Sequence, residues 1–543
     1  MFQQDGLGLA SSTELRSDGM YHEQASQFGT FGNTSYAFDL DYHHNDGVRV
    51  NNGLDDLELN TTIKQQVAPK DTALLLVQYQ NYHSGDNFQY YNPTNARPNY
   101  KFDEFQHPIV VGGWDHEWSP GNRTLALFSR LTDEQYFSDK AVPELVFLDS
   151  PPGTVKAVGS TAYDVAYHNT FDIYSAEMNQ ICEWDRVTLS AGARYQGGKF
   201  QANDLFANPR IVGLTPATVS DSISQDFQRL TGYSYLTVKP LERLWVIGGF
   251  AYEHLRYPEN YRQPPVSSGE SEKSQLGPKA ALVWNPFPSA NLRGFYAQSL
   301  GGVSLDESYR LEPTQLAGFP QSFRSLISES IVGSVDAPSF ENLGVALDLK
   351  LGDHTFANIQ LEQSRSGVSR RDGVFTLENF IAPGEPDSTR EQLNYLERTL
   401  SVSLNQLVGD CWVLGTSYSL TRSDLHDTFP DIPVAVLAAA NQTEHSTLQQ
   451  AVGFVQFNHP SGFYARAEVH WYGQANVGWT PAEPGDHFFQ ENLFAGYFFA
   501  RRRVELQLGI LNLGAQNYHL NPLTPYQGLP TSRVFEARIK FVF

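Results

Sequence analysis

The chain is poor in sulfur and in positive charge. Its 543 residues include two cysteines and three methionines, and 38 Lys and Arg stand against 60 Asp and Glu, a net charge of -22. That balance argues against nucleic acid as a partner, because phosphates need clustered basic groups. Cys182 and Cys411 lie far apart, without a Cys-x-x-Cys spacing or a neighbouring His. Neither a zinc site nor a redox motif is indicated, and no spacing argues for pairing them. No apolar run approaches the ~18 residues of a membrane-spanning helix. The longest candidate is Val434–Ala440, so any passage through a membrane is by strands. Met1-Phe-Gln-Gln-Asp has no basic or apolar signal region, and the expectation is a removed start or a longer parent chain. Catalytic signatures are also missing: no G-x-S-x-G, P-loop, H-E-x-x-H or complete glycine-rich dinucleotide fingerprint. The reading is a protein that is not an enzyme and carries no cofactor.

What the sequence does have is period-two alternation and many aromatics, chiefly Phe and Tyr. Phe535, Ala537, Ile539, Phe541 and Phe543 alternate with Glu536, Arg538 and Lys540. Phe463, Ala465, Ala467, Val469 and Trp471 oppose Tyr464, Arg466, Glu468, His470 and Tyr472, and Leu57–Ile63 and Val187–Gln196 repeat the pattern. Alternation means strands with two unlike faces, one apolar and one ionic. Between them, short turns rich in Gly, Pro, Asn and Asp take turns with long polar connections, near 84–103, 139–168, 201–220, 301–337 and 367–390 among others. The expectation is an all-β transmembrane antiparallel barrel of about 22 strands, each roughly 9–15 residues, with short periplasmic turns and long extracellular loops. It occupies residues 1–543 as one domain, and its last strand pairs with its first, since unpaired backbone in hydrocarbon costs several kcal/mol per group. Aromatics such as Tyr36, Tyr42, Trp114, Trp118, Tyr195, Trp471, Tyr472 and Tyr497 fit interfacial girdles. A soluble propeller or sandwich is the competing architecture, and the strand lengths and the lack of a 40–50-residue repeat speak against it.

The C-terminal segment resembles the end of TonB-dependent outer-membrane receptors. Leu506-Gln-Leu-Gly-Ile-Leu-Asn-Leu-Gly-Ala-Gln-Asn-Tyr518 looks like that family's penultimate strand, and Gly528-Leu-Pro-Thr-Ser-Arg533 is similar to its approach to the terminal strand. Arg49–Asn52, Leu57–Ile63 and Leu74–Tyr79 look like its early hairpins. The resemblance covers the barrel only: nothing stands in the place of the N-terminal plug and TonB box. It implies the bacterial outer membrane as location, with outer-membrane lipid, lipopolysaccharide and the barrel insertion machinery as partners, and TonB acting through a plug not in this chain. Phe541 and Phe543 are the implied insertion signal. The implied function is uptake of a small-molecule or oligosaccharide ligand, such as a siderophore or cobalamin. The alternative is a plugless pore or scaffold attached to a separate periplasmic domain such as helical repeats; the stretch 311–324 looks like such plugless relatives.

Ligand capture belongs to the long loops and upper lumen. Tyr90, Tyr91, Tyr100, Tyr257, Tyr261, Phe319 and Phe323 have faces to stack on sugars or flat chelates, and Arg324, Arg370 and Arg371 suit anionic groups. The same aromatics equally suit loops packed on one another. Asp39, Asp41 and His43 share a strand face and are either a cation site or a polar lumen wall, the second being the ordinary state of such positions. No metal site is assigned.

Overall fold

The computed structural model describes residues 5–543. Twenty-two antiparallel strands run from Gly6–Arg16 to Val534–Val542, and those two pair with each other from Ala10↔Val542 to Arg16↔Glu536, which closes the sheet into a barrel. The remaining strand of the sheet, Thr218–Val219, is a two-residue extension beside the end of Val187–Ala207. Closure removes both sheet edges, the condition for a sheet to stand in hydrocarbon. One rim carries tight turns at 32–33, 69–70, 120–121, 352–354 and 409–411; the other carries the long connections. No helix is long and apolar enough to cross a membrane among the described residues.

The exterior is the apolar face of the alternation. Leu59, Leu75, Phe128, Met178, Phe250, Leu361, Val469 and Leu508 are exposed there, while Arg466, Glu468 and His470 form a ladder on the inner face. A charge facing lipid at the midplane would cost ~2–4 kcal/mol, which is the physical reason for the sorting. Trp114, Trp118, Trp184, Trp284 and Trp412 are all exposed and lie within a few residues of the short-turn rim, as an interfacial girdle requires. Tyr472 departs from the expected girdle. It sits on the polar face of its strand and is buried, its ring stacked on Phe488 at 5.2 Å.

The strands are longer than expected, up to 28 residues in Asn122–Asp149 and 29 in Val155–Glu183. The stretch 139–168, expected to be an irregular connection, is therefore a tall hairpin with its turn at 150–154. Its alternation reverses sense along one strand. Towards the short-turn rim, Tyr174 and Met178 face out and Glu177 and Asn179 face in; higher up, Tyr163, Val165, Tyr167 and Phe171 face in, and Asp164, His168 and Asp172 lie opposite. Water replaces lipid outside at that height, and an apolar core replaces water inside. Phe171, Phe200 and Phe227 from three adjacent strands form that core with Tyr261, Leu300 and Val303. The tall hairpin is tied across the mouth by a short parallel pairing, Phe375–Glu378 against Val146–Asp149.

Candidate functional site

Strand Ala290–Leu300 has only 11 residues, against 21 in its neighbour Ser267–Phe287, and where it ends the chain turns inward. Residues 301–338 then fold down inside the barrel before the wall resumes at Ser339–Leu351. Gly301 N–H donates to the Pro338 carbonyl at 2.7 Å, so departure and return are joined at a neck. A Cβ on Gly301 would lie 2.8 Å from the Pro338 ring, so the neck closes on glycine.

The tip of this inward segment is a two-residue hairpin, Gln315–Leu316 against Phe319–Pro320, turned by Ala317 and Gly318 at φ 51° and 81°. Arg293 donates to the Ala317 carbonyl at 3.1 Å and to Asp348 at 3.0 Å. Arg293 is four positions from the turn at 288–289, which puts the tip about 10 Å above the short-turn rim for a tilted strand. Phe319 is fully buried there, stacked on Phe295 at 4.5 Å beside Tyr233 and Tyr235.

Between neck and tip the segment is anchored by a buried ionic network. Arg229, fully buried on the wall strand Ser222–Leu241, pairs with Asp306 at 2.7 Å, with Glu307 and with Glu253 of the next strand. It also donates to the Leu300 carbonyl at 3.0 Å. Gln196 donates to the Asp306 carbonyl at 2.8 Å, and the Arg194 guanidinium lies 3.6 Å from Glu307. Glu177 accepts from the backbone N–H of Leu311 (2.9 Å) and Glu312 (3.1 Å) and from the Tyr233 hydroxyl (2.8 Å). Tyr235 donates to Glu312 at 2.6 Å. Hydrogen bonds to charged groups contribute ~1.5–3 kcal/mol each when made, and the buried charges are costly when any partner is removed.

At the long-loop rim, above the hairpin tip and partly roofed by the returning half of the same segment, lies a cavity of about 410 Å³. Its roof comes from four connections, through Tyr90 and Tyr91, Ser330–Val332, Trp479 and Glu483, and Pro522; its floor and sides are strand ends carrying Arg370, Asp427 and Glu444. The size suits a small organic molecule.

The eight expected ligand residues do not form one site. Tyr90 and Tyr91 line the mouth cavity; the Tyr90 hydroxyl donates to Asp86 at 2.8 Å, and that of Tyr91 to the Gly485 carbonyl at 3.2 Å. Burial raises the Tyr90 phenol, and Asp86 raises it further. Tyr100 is buried under Arg97, 4.0 Å from its ring, and burial pushes its phenol up to about 12. Tyr257 and Tyr261 belong to the apolar core below the mouth, the Tyr261 hydroxyl lying 2.9 Å from the Val303 carbonyl it donates to. Phe319 is at the tip, and Phe323 is covered by Arg310 at 3.7 Å. Arg324 is exposed and reaches Ser308 at 3.4 Å. Arg370 pairs with Glu391, and Arg371 with Glu259 at 2.6 Å. Asp39 accepts from Ser26 at 2.5 Å, and Asp41 lies 2.8 Å from His22, so the face is a hydrogen-bonded polar wall; no cluster able to hold a metal ion occurs among the described residues. Both cysteines are free. Phe541 and Phe543 stack at 6.5 Å on the outer face beside the seam. Arg229, Glu177, Glu444 and Trp479, central to the lumen and mouth, were not expected as site residues; no local motif marks them, and only their inward parity on alternating strands distinguishes the first three.

A closed sheet of 22 strands with an apolar outside and a folded segment inside its lumen is the architecture of the large outer-membrane transporters. Solved structures of that kind superpose over the whole chain. The copper transporter OprC matches with a TM-score of 0.64 and 12% identity, covering 100% of this chain and 81% of its own. The FrpB iron transporter from Neisseria meningitidis (F3-3 variant) gives 0.63 at 10% identity, covering 100% and 82%. The siderophore receptor PiuA from Acinetobacter baumannii gives 0.57 at 12%, covering 99% and 82%. No family model matches the sequence, and no curated protein is similar to it. At such identities the likeness is one of fold.

Proposed function

We propose that the chain is the barrel of an outer-membrane receptor-transporter, a single domain that captures a ligand at its long-loop mouth and conducts it past the inward segment. One observation carries the reading: a lipid-adapted barrel whose lumen holds a folded, ionically anchored segment, with a cavity at its long-loop mouth. A general diffusion pore needs an open aqueous lumen, whereas a selective path needs one that is filled and has something to move. The names of the similar structures, which concern copper, iron and siderophores, support uptake of a scarce small ligand. The partners follow from the resemblance: outer-membrane lipid, the insertion machinery, and TonB through a plug. The second reading is a plugless conduit or scaffold working with a separate periplasmic domain. Expression in a porin-deficient Gram-negative host separates them. The receptor reading expects the protein in the outer-membrane fraction and little steady conductance in planar bilayers. A large constitutive conductance selects the conduit, and recovery in the soluble fraction contradicts both.

A further inference from the structure

The mouth cavity has an excess of negative charge that the protein itself does not answer. Of the charged groups lining it, Arg370 is engaged: it pairs with Glu391, lies 3.3 Å from Asp372, and donates to the Ser334 and Val332 carbonyls at 2.5 Å each. Three carboxylates remain. Glu483, on the roof, accepts from Asn521, and burial raises its carboxyl. Asp427 keeps one buried oxygen without a donor. Glu444 is the decisive one. It is only 9% exposed, stands on the inward face of Asn441–Asn458 opposite Leu425, and has neither a hydrogen-bond donor nor a cation among the described residues. Burial, and after it the like charges of Asp427 and Glu483, push its carboxyl up to about 7.

A carboxylate so placed is costly unless something pairs with it. Around it stand the rings of Tyr90, Tyr91 and Trp479, the last with its indole N–H also unpartnered. Aromatic faces beside unanswered carboxylates attract a cation that is itself partly apolar and carries N–H donors. The converging carboxylates that a bare metal ion demands are missing among the described residues. We infer that the mouth cavity binds a small organic cation, an ammonium or guanidinium on a short carbon frame, with Glu444 as its principal counter-charge and Asp427, Glu483 and the surrounding rings as its remaining contacts. The inference deepens the transport reading and rests on it for the cavity's role, while the binding itself can be measured apart from transport.

The test uses the full chain purified in detergent, with spermidine and L-arginine amide as probes, fully acetylated (uncharged) triacetylspermidine and citrate as controls, and tryptophan fluorescence and calorimetry as readouts. The cations are expected to bind, the controls not. Glu444→Gln should weaken binding about tenfold or more, the loss of one charge-assisted contact, with heat-dependent gel mobility unchanged. If Glu444→Gln does not assemble, Glu483→Gln on the roof serves, with binding about fivefold weaker. Equal binding of citrate, no binding of either cation, or unchanged affinity in the assembled variant overturns the inference. Spermidine binding that depends on Glu444 in a protein recovered without membrane would keep the site and end the transport reading; a membrane barrel indifferent to both cations would do the reverse.

Discussion

Arg229 shows what a single residue does in this lumen. It is the only guanidinium among the described residues that joins two wall strands to the inward segment through three carboxylates, and it has no exposed surface. Arg229→Met leaves Glu253, Asp306 and Glu307 buried without it, at a cost of roughly 3–5 kcal/mol. Hydrogen exchange should show the loss locally: protection of 303–312 falls while that of the wall strands persists. Equal protection in the variant would mean the network is incidental. A second residue-scale effect is acid-sensitive. The Arg390 guanidinium, 2.6 Å from Asp431, holds that carboxyl below its usual range. A depressed carboxylate contributes stability that is complete above the ordinary value near ~3.9 and disappears as pH falls through the lower folded value. Protection of the connection 429–440 should therefore be highest and independent of pH near neutrality and fall in strong acid, and Arg390→Met should lower it at neutral pH and remove that acid dependence.

At the scale of elements, the inward segment is a separable part. Gly301 and Pro338 already meet at the neck, so residues 302–337 can be replaced by a short glycine-rich turn without breaking the pairing of Ala290–Leu300 with Ser339–Leu351. Planar-bilayer conductance of that deletion is expected to rise several-fold over the intact chain, with heat-dependent mobility retained; an unchanged conductance would show that the segment does not constrict the lumen. The wall itself was legible in the sequence. Leu57–Ile63, Phe463–Tyr472 and Phe535–Phe543 alternate in one sense because lipid lies on one side and water on the other, and the seam followed from closure. The upper half of the tall hairpin was not legible, because beyond the membrane the two environments exchange places. Tyr163, Val165 and Tyr167 alternate as regularly as any lipid-facing run, but in the opposite sense, within the same strand. The inward fold of 301–338 left no period at all, since its stability comes from partners such as Glu177, Arg229 and Arg293, which lie far away in the chain.

The whole molecule combines a net charge of -22 with an exterior of leucine, valine and phenylalanine, and that combination is stable only if the two are kept apart. Charge is collected inside and at the rims; the waist belongs to hydrocarbon. The tryptophans report this directly, because five of the eight stand exposed near the short-turn rim. The decisive measurement is fluorescence of the protein folded into vesicles whose acyl chains carry bromine at graded depths. Lipid contact predicts strong quenching, greatest for bromine near the headgroup end where Trp118, Trp184 and Trp412 are placed. Emission indifferent to bromine at every depth, from a protein that remains dispersed in plain buffer, would contradict a barrel clothed in lipid.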